Sequence, residues 1–411
     1  MTDPTDLLAD ALVGTSPGTS PGVTAAAGFR AAGIVAGLKA SGRPDLALVV
    51  DDGPMQVGAG VFTTNRVVGW PVVWSRQVVS DGVVSAVVLN SGAANVCTGP
   101  DGFADAHATA ERVGETLGVS AGDVVVCSTG VIGERLPIET LLTGIATAAG
   151  QLSDDGGPAA AAAIMTTDTV VKTAHVRVES PDGAWTVGGM AKGAGMLAPA
   201  LATMLVVLTT DAAVDAGGCR SALSSATRGT FDRVDSDGCM STSDTVLLLA
   251  SGASGVLPDW VQFSDAVRRV CASLARQLVA DAEGASHDIA VRVLHASSEG
   301  AALAVARAVT RSNLVKAAVF GNDPNWGRVL AQVGTVPADV APFDPELLDV
   351  TMNGVPVCRA GGAYAPRTDV DLAAAREVHI DIDLHAGDAE ATVWTNDLTH
   401  AYVHENSAYT T

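Results

Sequence analysis

From Gly188 to Asp211 the chain reads GGMAKGAGMLAPALATMLVVLTTD, a glycine-rich run that passes through Pro199 into Ala200-Leu201-Ala202 and then Thr203. The residues after it, Met204 to Leu208, are continuously apolar and read as a buried strand whose first residue is a threonine. Threonine is favoured in strands, so on spacing alone Thr203 is an ordinary strand residue. A second chemistry is open to a hydroxyl at that edge. If the preceding peptide is held strained, the Oγ can attack the Ala202 carbonyl, convert the amide to an ester and let water open the chain. Thr203 then carries a free α-amine, with an unperturbed pKa near ~7.7–8.0, beside its own hydroxyl. Small residues at Ala198, Ala200 and Ala202 would let the loop pack tightly, and held geometry raises intramolecular attack to effective molarities of order ~10⁵–10⁸ M.

Other chemistry-bearing residues lie around this segment. Val124 to Cys127 is a strand running into a Ser128-Thr129-Gly130 loop, which offers backbone amides and a hydroxyl at one point and suits either an oxyanion or a plain turn. Lys192 stands alone as a charge until Asp211, either as a solvated group or as a holder of a substrate carboxylate. Glu283 follows a long helix, where a carboxylate is mildly unfavourable with the dipole. Thr166 and Thr167 precede Asp168 in a pattern also usual for caps. His400 and His404 share a helix face, but without H-E-x-x-H or a third ligand they read as structural, and no metal is expected. Gly193-Ala194-Gly195-Met196-Leu197-Ala198 matches G-x-G-x-x-A, yet Pro199 follows where a pyrophosphate-capping helix should begin. Neither G-x-S-x-G nor G-x-x-x-x-G-K-[ST] is present, which argues against a serine hydrolase and a nucleotide kinase.

KGAGMLAPALATML followed by TTDA resembles the self-cleaving segment of the ornithine acetyltransferase family, the glutamate N-acetyltransferases of arginine biosynthesis. GVFTTNR, NSGAANVCTG, CSTGVIG, IMTTD, DGCMSTSDTVLLLASG, DAEG, FGNDPNWGRVL and the terminal HENSAYTT resemble it too, in the family's order, from about residue 23 onward. The resemblance implies a cut between Ala202 and Thr203 and a ping-pong transfer of acetyl from N2-acetyl-L-ornithine to L-glutamate through acetyl-Thr203. It places the oxyanion hole at Thr129 and Gly130. It assigns substrate contact to Thr166, Lys192, Thr203, Glu283, Asn406 and Thr411, with Thr167 open in place of Thr166. It implies no cofactor; acetyl-CoA is a co-substrate only if the enzyme also makes N-acetylglutamate from it. It further implies a heterotetramer of two alpha and two beta chains. Ala93, Val171 and Ala282 depart from the family's usual residues at loop positions, which touches donor range more than cleavage. Rivals are a self-cleaving amidase or aminopeptidase with water as acceptor, a nicotinamide oxidoreductase built on Gly193 and Gly195, and an uncut binding protein.

The chain must supply elements to hold these groups. With 411 residues, 48% of them hydrophobic, and a mean hydropathy of +0.31, it can bury a large core. A net charge of −21 argues against nucleic acid or an anionic membrane as partner. Six scattered cysteines without C-x-x-C fit reduced, cytoplasmic thiols. The acidic N-terminus lacks a signal peptide's basic region, and no uncharged apolar run reaches the ~18 residues of a membrane span. Residues 1–22 read as a mobile leader, 23–202 as an alpha chain and 203–411 as a beta chain. Strands are expected at Leu46–Val50, Val57–Phe62, Val67–Val73, Val83–Leu89, Thr245–Ala250, Ile289–Leu294, Leu348–Met352 and Val378–Leu384. Helices are expected at 103–117, 138–149, 219–231 and 263–282. Neither half has a polar linker near residue 202, so one interwoven domain is expected. The fold class is α/β with mixed α+β sheets, and the resemblance makes it a layered αββα sandwich.

Overall fold

The computed structural model describes residues 20–197 and 204–408. Before residue 197 the strands are β1 (Phe29–Ile34), β2 (Leu46–Asp51), β3 (Val57–Phe62), β4 (Ala86–Ala93), β5 (Val124–Val131), β6 (Lys172–Ser180) and β7 (Gly183–Lys192). The helices among them are α1 (Trp70–Val78), α2 (Gly99–Leu117), α3 (Ile138–Ala149) and α4 (Gly157–Ala163). After residue 204 come β8 (Leu205–Thr210), α5 (Ala216–Gly229), β9 (Thr245–Ala250), α6 (Trp260–Ala280) and β10 (Asp288–Ala296). The chain continues through α7 (Glu299–Thr310), α8 (Asn313–Phe320), α9 (Trp326–Val333) and the strands β11 (Asp349–Met352), β12 (Val355–Arg359), β13 (Gly362–Ala363), β14 (Glu377–Asp383) and β15 (Ala389–Asn396). Helix α10 (His400–Ala408) closes the described chain.

Two sheets face each other. The first has the order β1-β2-β4-β5 and the second β3-β9-β8-β7-β6. Between them Val49, Val87, Leu89 and Val125 of the first pack with Met190, Leu205, Val207 and Leu247 of the second. Strands β2 and β8 are buried along their whole length, which explains why both read as unbroken apolar runs and not as alternating ones. The outer face of the first sheet is covered by Val113 of α2 and Leu141 and Ile145 of α3, that of the second by Leu223 of α5 and Val267, Val270 and Leu274 of α6. The layers are therefore helix, sheet, sheet, helix, the αββα arrangement expected. The second sheet takes β3, β6 and β7 from before residue 202 and β8 and β9 from after it. A third sheet, β13-β12-β11-β14-β10-β15, carries its own core with α7, α8 and α9. In β14 buried Val378, Ile380 and Ile382 alternate with less buried neighbours, the period-two pattern visible in the sequence.

Several expectations are corrected. Residues Val67–Val73 do not form a strand: Trp70–Val78 is helix α1, with Pro71 in the first turn, where its missing N–H costs nothing, and Val72, Ser75 and Val78 buried at helical spacing. Ser128-Thr129-Gly130 is not a loop, because β5 continues to Val131 in parallel register with β4, pairing Ser91 with Thr129 and Gly92 with Gly130. Helices α5 and α6 begin three residues before the apolar spacing does, at the points where Asp215 and Asp259 accept first-turn amides. The polar C-terminal segment is helical through Ala408. Among the described residues no helix is long and apolar enough to cross a membrane, and all six cysteines are free.

Candidate functional site

The ends of the two facing sheets meet at Lys192. It is the last residue of β7, paired with Leu205 at the start of β8, and its side chain is 1% exposed. Its Nζ donates to Thr129 Oγ1 on β5 at 3.2 Å and to Thr166 Oγ1, just beyond α4, at 2.7 Å. One ammonium thus ties the oxyanion candidate of the first sheet to a threonine of the connecting segment. Burial pushes the Lys192 pKa below that of an ordinary lysine, against the pull of Asp168, Glu283 and Asp244. Next along β5, Gly130 has φ +129 and lies so close to β4 that a Cβ would meet the Gly92 carbonyl carbon and oxygen at 2.4 Å. Only glycine fits there, which lets β5 lie close against the β4 backbone.

Glu283 enters from the other side. Its amide donates to the Ala194 carbonyl at 2.9 Å, fixing it over the glycine run that follows β7. Oε1 accepts the Thr167 hydroxyl at 2.7 Å and Oε2 accepts the Asn406 amide at 2.9 Å. So both threonines named from the sequence reach the cluster, Thr166 through Lys192 and Thr167 through Glu283. Asn406 is brought by α10, whose backbone sits on Gly284: at φ +62, a Cβ there would meet Tyr402 N at 2.3 Å. Thr399 Oγ1 donates to the Gly284 carbonyl at 2.6 Å and receives Tyr402 N at 3.0 Å, so the helix is anchored where it arrives. Ala202, Thr203 and Thr411 lie outside the described residues. The next residue, Met204, is held on both sides, its amide by Asp244 Oδ1 at 3.0 Å and its carbonyl by Thr245 N at 3.1 Å.

Beneath the cluster lies an ion group that the sequence reading missed. Lys172, fully buried, donates to Asp168 Oδ1 at 2.7 Å and to Asp281 Oδ2 at 2.5 Å. Asp168 also accepts Thr166 N at 3.0 Å and Gly193 N at 2.7 Å, and Asp281 accepts Thr169 N at 3.0 Å and the Thr169 hydroxyl. The segment 166–170 and the start of the glycine run are therefore pinned by two carboxylates sharing one cation. The only trace in the sequence is an Asp and a Lys four apart; that Asp281, two residues before Glu283, completes the group is a property of the fold. Burial alone would raise the Asp168 pKa, but Lys192, Lys172 and the Gly193 amide outweigh it and hold it at about 2. A carboxyl depressed below its ordinary 3.8 stabilises the fold fully above the unfolded value and loses that contribution as pH falls through about 2. Urea unfolding between pH 6 and pH 2 should show a loss on the order of 2 kcal/mol from this group, and Asp168→Asn should flatten that part of the profile.

Of the two histidines read as structural, His400 packs edge-on against Phe320, ring centroids 5.4 Å apart. Among the described residues, His295, Asp383 and His385 are the group whose ligand atoms come within 4.8 Å of one another. They sit on the third sheet and are not among the residues named from the sequence. The assembled site offers a buried cation, a carboxylate, three hydroxyls and an amide, equipment for holding a small zwitterion at both of its charges.

Comparison with known proteins shows the family to which the chain belongs. The arginine biosynthesis bifunctional protein ArgJ of Streptomyces coelicolor is 61% identical over 386 residues, 94% of this chain and 99% of that one. The protein of the same name from Bifidobacterium longum is 56% identical over 390 residues, 94% and 99% of the two chains. A chain of ornithine acetyltransferase from Mycobacterium tuberculosis, solved in complex with ornithine, is 56% identical where it matches, covering 43% of this chain and 94% of that one with a TM-score of 0.41. The family model for ArgJ matches residues 30–411, which takes in both facing sheets, the third sheet and α10. From its first strand to its last residue, the chain belongs to the ArgJ family.

Proposed function

We propose that this chain is a glutamate N-acetyltransferase that moves acetyl from N2-acetyl-L-ornithine to L-glutamate, after cutting itself between Ala202 and Thr203. The observation that carries the reading is Lys192, buried where the sheets meet and bonded to Thr129 and Thr166 with Glu283 facing it. Membership of the ArgJ family and relatives named for arginine biosynthesis support it.

In the cycle the Thr203 α-amine takes the proton of its own hydroxyl, and Oγ attacks the acetyl carbonyl carbon of N-acetylornithine. Thr129 and the Gly130 amide hold the negative oxygen. The C–N bond breaks, ornithine leaves with the proton on its nitrogen, and acetyl-Thr203 remains. The amine of glutamate attacks that ester, Oγ recovers a proton, and N-acetylglutamate departs. Donor and acceptor share an α-carboxylate and α-nitrogen, so the common end is held by Lys192 and Glu283, with Thr166, Asn406 and Thr411 adapting to side chains of opposite charge. Acetyl-CoA serves as a second acetyl donor, a reading supported by the relatives' description as bifunctional. The transfer balances without metal or cofactor. Two copies of each fragment form a heterotetramer in the cytoplasm, and residues 203–411 form the beta chain.

Incubation with N-acetylornithine alone and with glutamate tests the reading. Release of ornithine that depends on glutamate, matched by N-acetylglutamate, is expected; acetate formation independent of glutamate would make the protein an amidase instead. Thr129→Val should lower kcat by about 10²–10³ with little change in KM, as expected on losing one oxyanion donor. Single-turnover release of ornithine measures it.

A further inference from the structure

Three neighbouring strands of the third sheet bring together a group that the acetyl transfer does not use. Asp349 opens β11 and pairs directly across from Asp383, the last residue of β14. Like charges placed opposite each other on adjacent strands are destabilising, so the pair calls for positive charge nearby. Asp349 has it: Arg359 Nη1 donates to Oδ2 at 2.6 Å, and the Ala360 amide donates to Oδ1 at 2.9 Å. Around Asp383 stand two histidines. His295 of β10 sets its Nδ1 2.8 Å from Oδ2, and His385, two residues beyond β14, donates its amide to Oδ1 at 3.0 Å and sets its Nδ1 3.4 Å from the same oxygen. The two rings lie nearly parallel, 16° apart, with centroids separated by 6.2 Å. The ring of His385 is the decisive one. Its Nε2 is 3.1 Å from Asp349 Oδ2, so both nitrogens of one imidazole face carboxylates. A neutral imidazole has one N–H and one lone pair, and one of those contacts then sets a lone pair against a carboxylate oxygen. A proton or a metal ion must lie between them. A proton bridges two atoms, whereas a third donor, the His295 Nδ1, converges on the same carboxylate, and three converging donors suit an ion.

We propose that His295, His385 and Asp383 form a binding site for one divalent transition-metal ion, zinc in the first place, which joins the ends of β10 and β14. One ligand atom from each residue lies within 4.8 Å of the others. The separations of 2.8 and 3.4 Å are those of neighbouring ligands around an ion that holds each at about 2.0–2.2 Å. Two imidazoles and one carboxylate select zinc and its first-row neighbours over calcium or magnesium, which take oxygen ligands. Asp349 is the outer partner: with Nε2–H donated to it, His385 is fixed in the tautomer that turns its Nδ1 lone pair toward the ion, and Arg359 with the Ala360 amide holds that carboxylate in place. The histidine side chains are 54% and 42% exposed, so an ion and the waters that complete its shell reach the site from solvent. No step of the acetyl transfer passes through it.

The test titrates the metal-free protein, purified without an affinity tag, with zinc chloride by calorimetry and with cobalt chloride by visible absorption, whose ligand-field bands report the donors around the ion. The wild type should take up one equivalent per chain, and saturating zinc should raise its melting temperature. His295→Ala and His385→Ala should each weaken zinc binding by at least about a hundredfold and abolish the thermal shift, while Asp349→Asn, which leaves the three ligands in place, should weaken it about ten- to a hundredfold. Acetyl transfer by all three should stay at the wild-type rate, which separates loss of the ion from loss of the fold. Absence of zinc and cobalt binding by the wild type would overturn the inference and leave an imidazolium between the two carboxylates. Equal affinity and stoichiometry in the doubly substituted His295→Ala, His385→Ala protein would overturn it too, as an adventitious ion only, held by other histidines such as His400 and His404. If removal of the His385 ring prevents folding, His295→Gln decides at its exposed position: weakened binding supports the site, and unchanged binding rejects it.

Discussion

Thr203→Ala should purify as one unbroken chain of 41.3 kDa that transfers no acetyl group, while the wild type gives two bands of nearly equal size, the smaller mobility difference resolved by mass, with one fragment beginning at Thr203. Loss of activity is expected to exceed about 10⁴-fold, because alanine removes the proposed nucleophile and, by preventing the cut, the amine proposed as its base. The two effects separate with Thr203→Ser, which keeps a hydroxyl: opening should proceed and turnover persist at a reduced rate, the methyl group having been lost from the site. The uncut alanine variant should still fold. Strand β8 begins after the junction and is held in the second sheet by β7 on one side and β9 on the other, with Met204 fixed through both its amide and its carbonyl. N-terminal sequencing and a transfer assay on the same preparations decide the matter, and an active wild type still joined at residue 203 would reject the mechanism.

How much of this was readable in the chain differs by physical origin. Strands buried on both faces announce themselves as apolar runs, as β2, β8 and β9 do, and amphipathic helices such as α3 appear with their spacing intact. Groups defined by tertiary pairing were not readable. Nothing local distinguishes Ser128-Thr129-Gly130 from a turn; it is strand because β4 supplies a parallel partner as far as Ala93. Val67 to Val73 carried β-branched residues and looked like a strand, but Pro71 cannot donate to a ladder and is at ease in a helix's first turn. The C-terminal helix buries no apolar face, so its order comes from Thr399, Tyr402 and Gly284 and from Asn406 on Glu283. Of the candidate site, Thr129, Gly130, Thr166, Lys192, Glu283 and Asn406 lie together in the described structure, a set carried by family resemblance more than by local pattern. Of the carboxylates that support them, Asp168 left only its spacing to Lys172, and Asp281 and Asp244 gave no signal, because a buried acid is recognised by what surrounds it.

Those surroundings set the expected result for Lys192→Met, a fall in kcat/KM of about 10³ for both donor and acceptor. Methionine fills similar space, so the change removes a charge more than a volume. It takes away the cation proposed for the shared α-carboxylate and releases Thr129 and Thr166 from the ammonium that holds both hydroxyls. A hydrogen bond to a charged group is worth about 1.5–3 kcal/mol, and two such losses at one centre bring the rate down by the expected factor at about 1.4 kcal/mol per decade. The pH profile distinguishes this from simple misfolding. Because burial lowers the Lys192 pKa, wild-type kcat/KM should fall on the alkaline side before an ordinary lysine would titrate, and the variant should lack that limb. Stability runs the other way. A lysine depressed in the folded state binds fewer protons there than in the unfolded chain, so between its folded and unfolded pKa values the wild type gains stability as pH rises. Lys192→Met abolishes that gain, and at acid pH it weakens the hold on Asp168, which keeps its ion pair with Lys172. A variant that folds, keeps its alkaline limb and loses less than tenfold in kcat/KM would remove Lys192 from the substrate site.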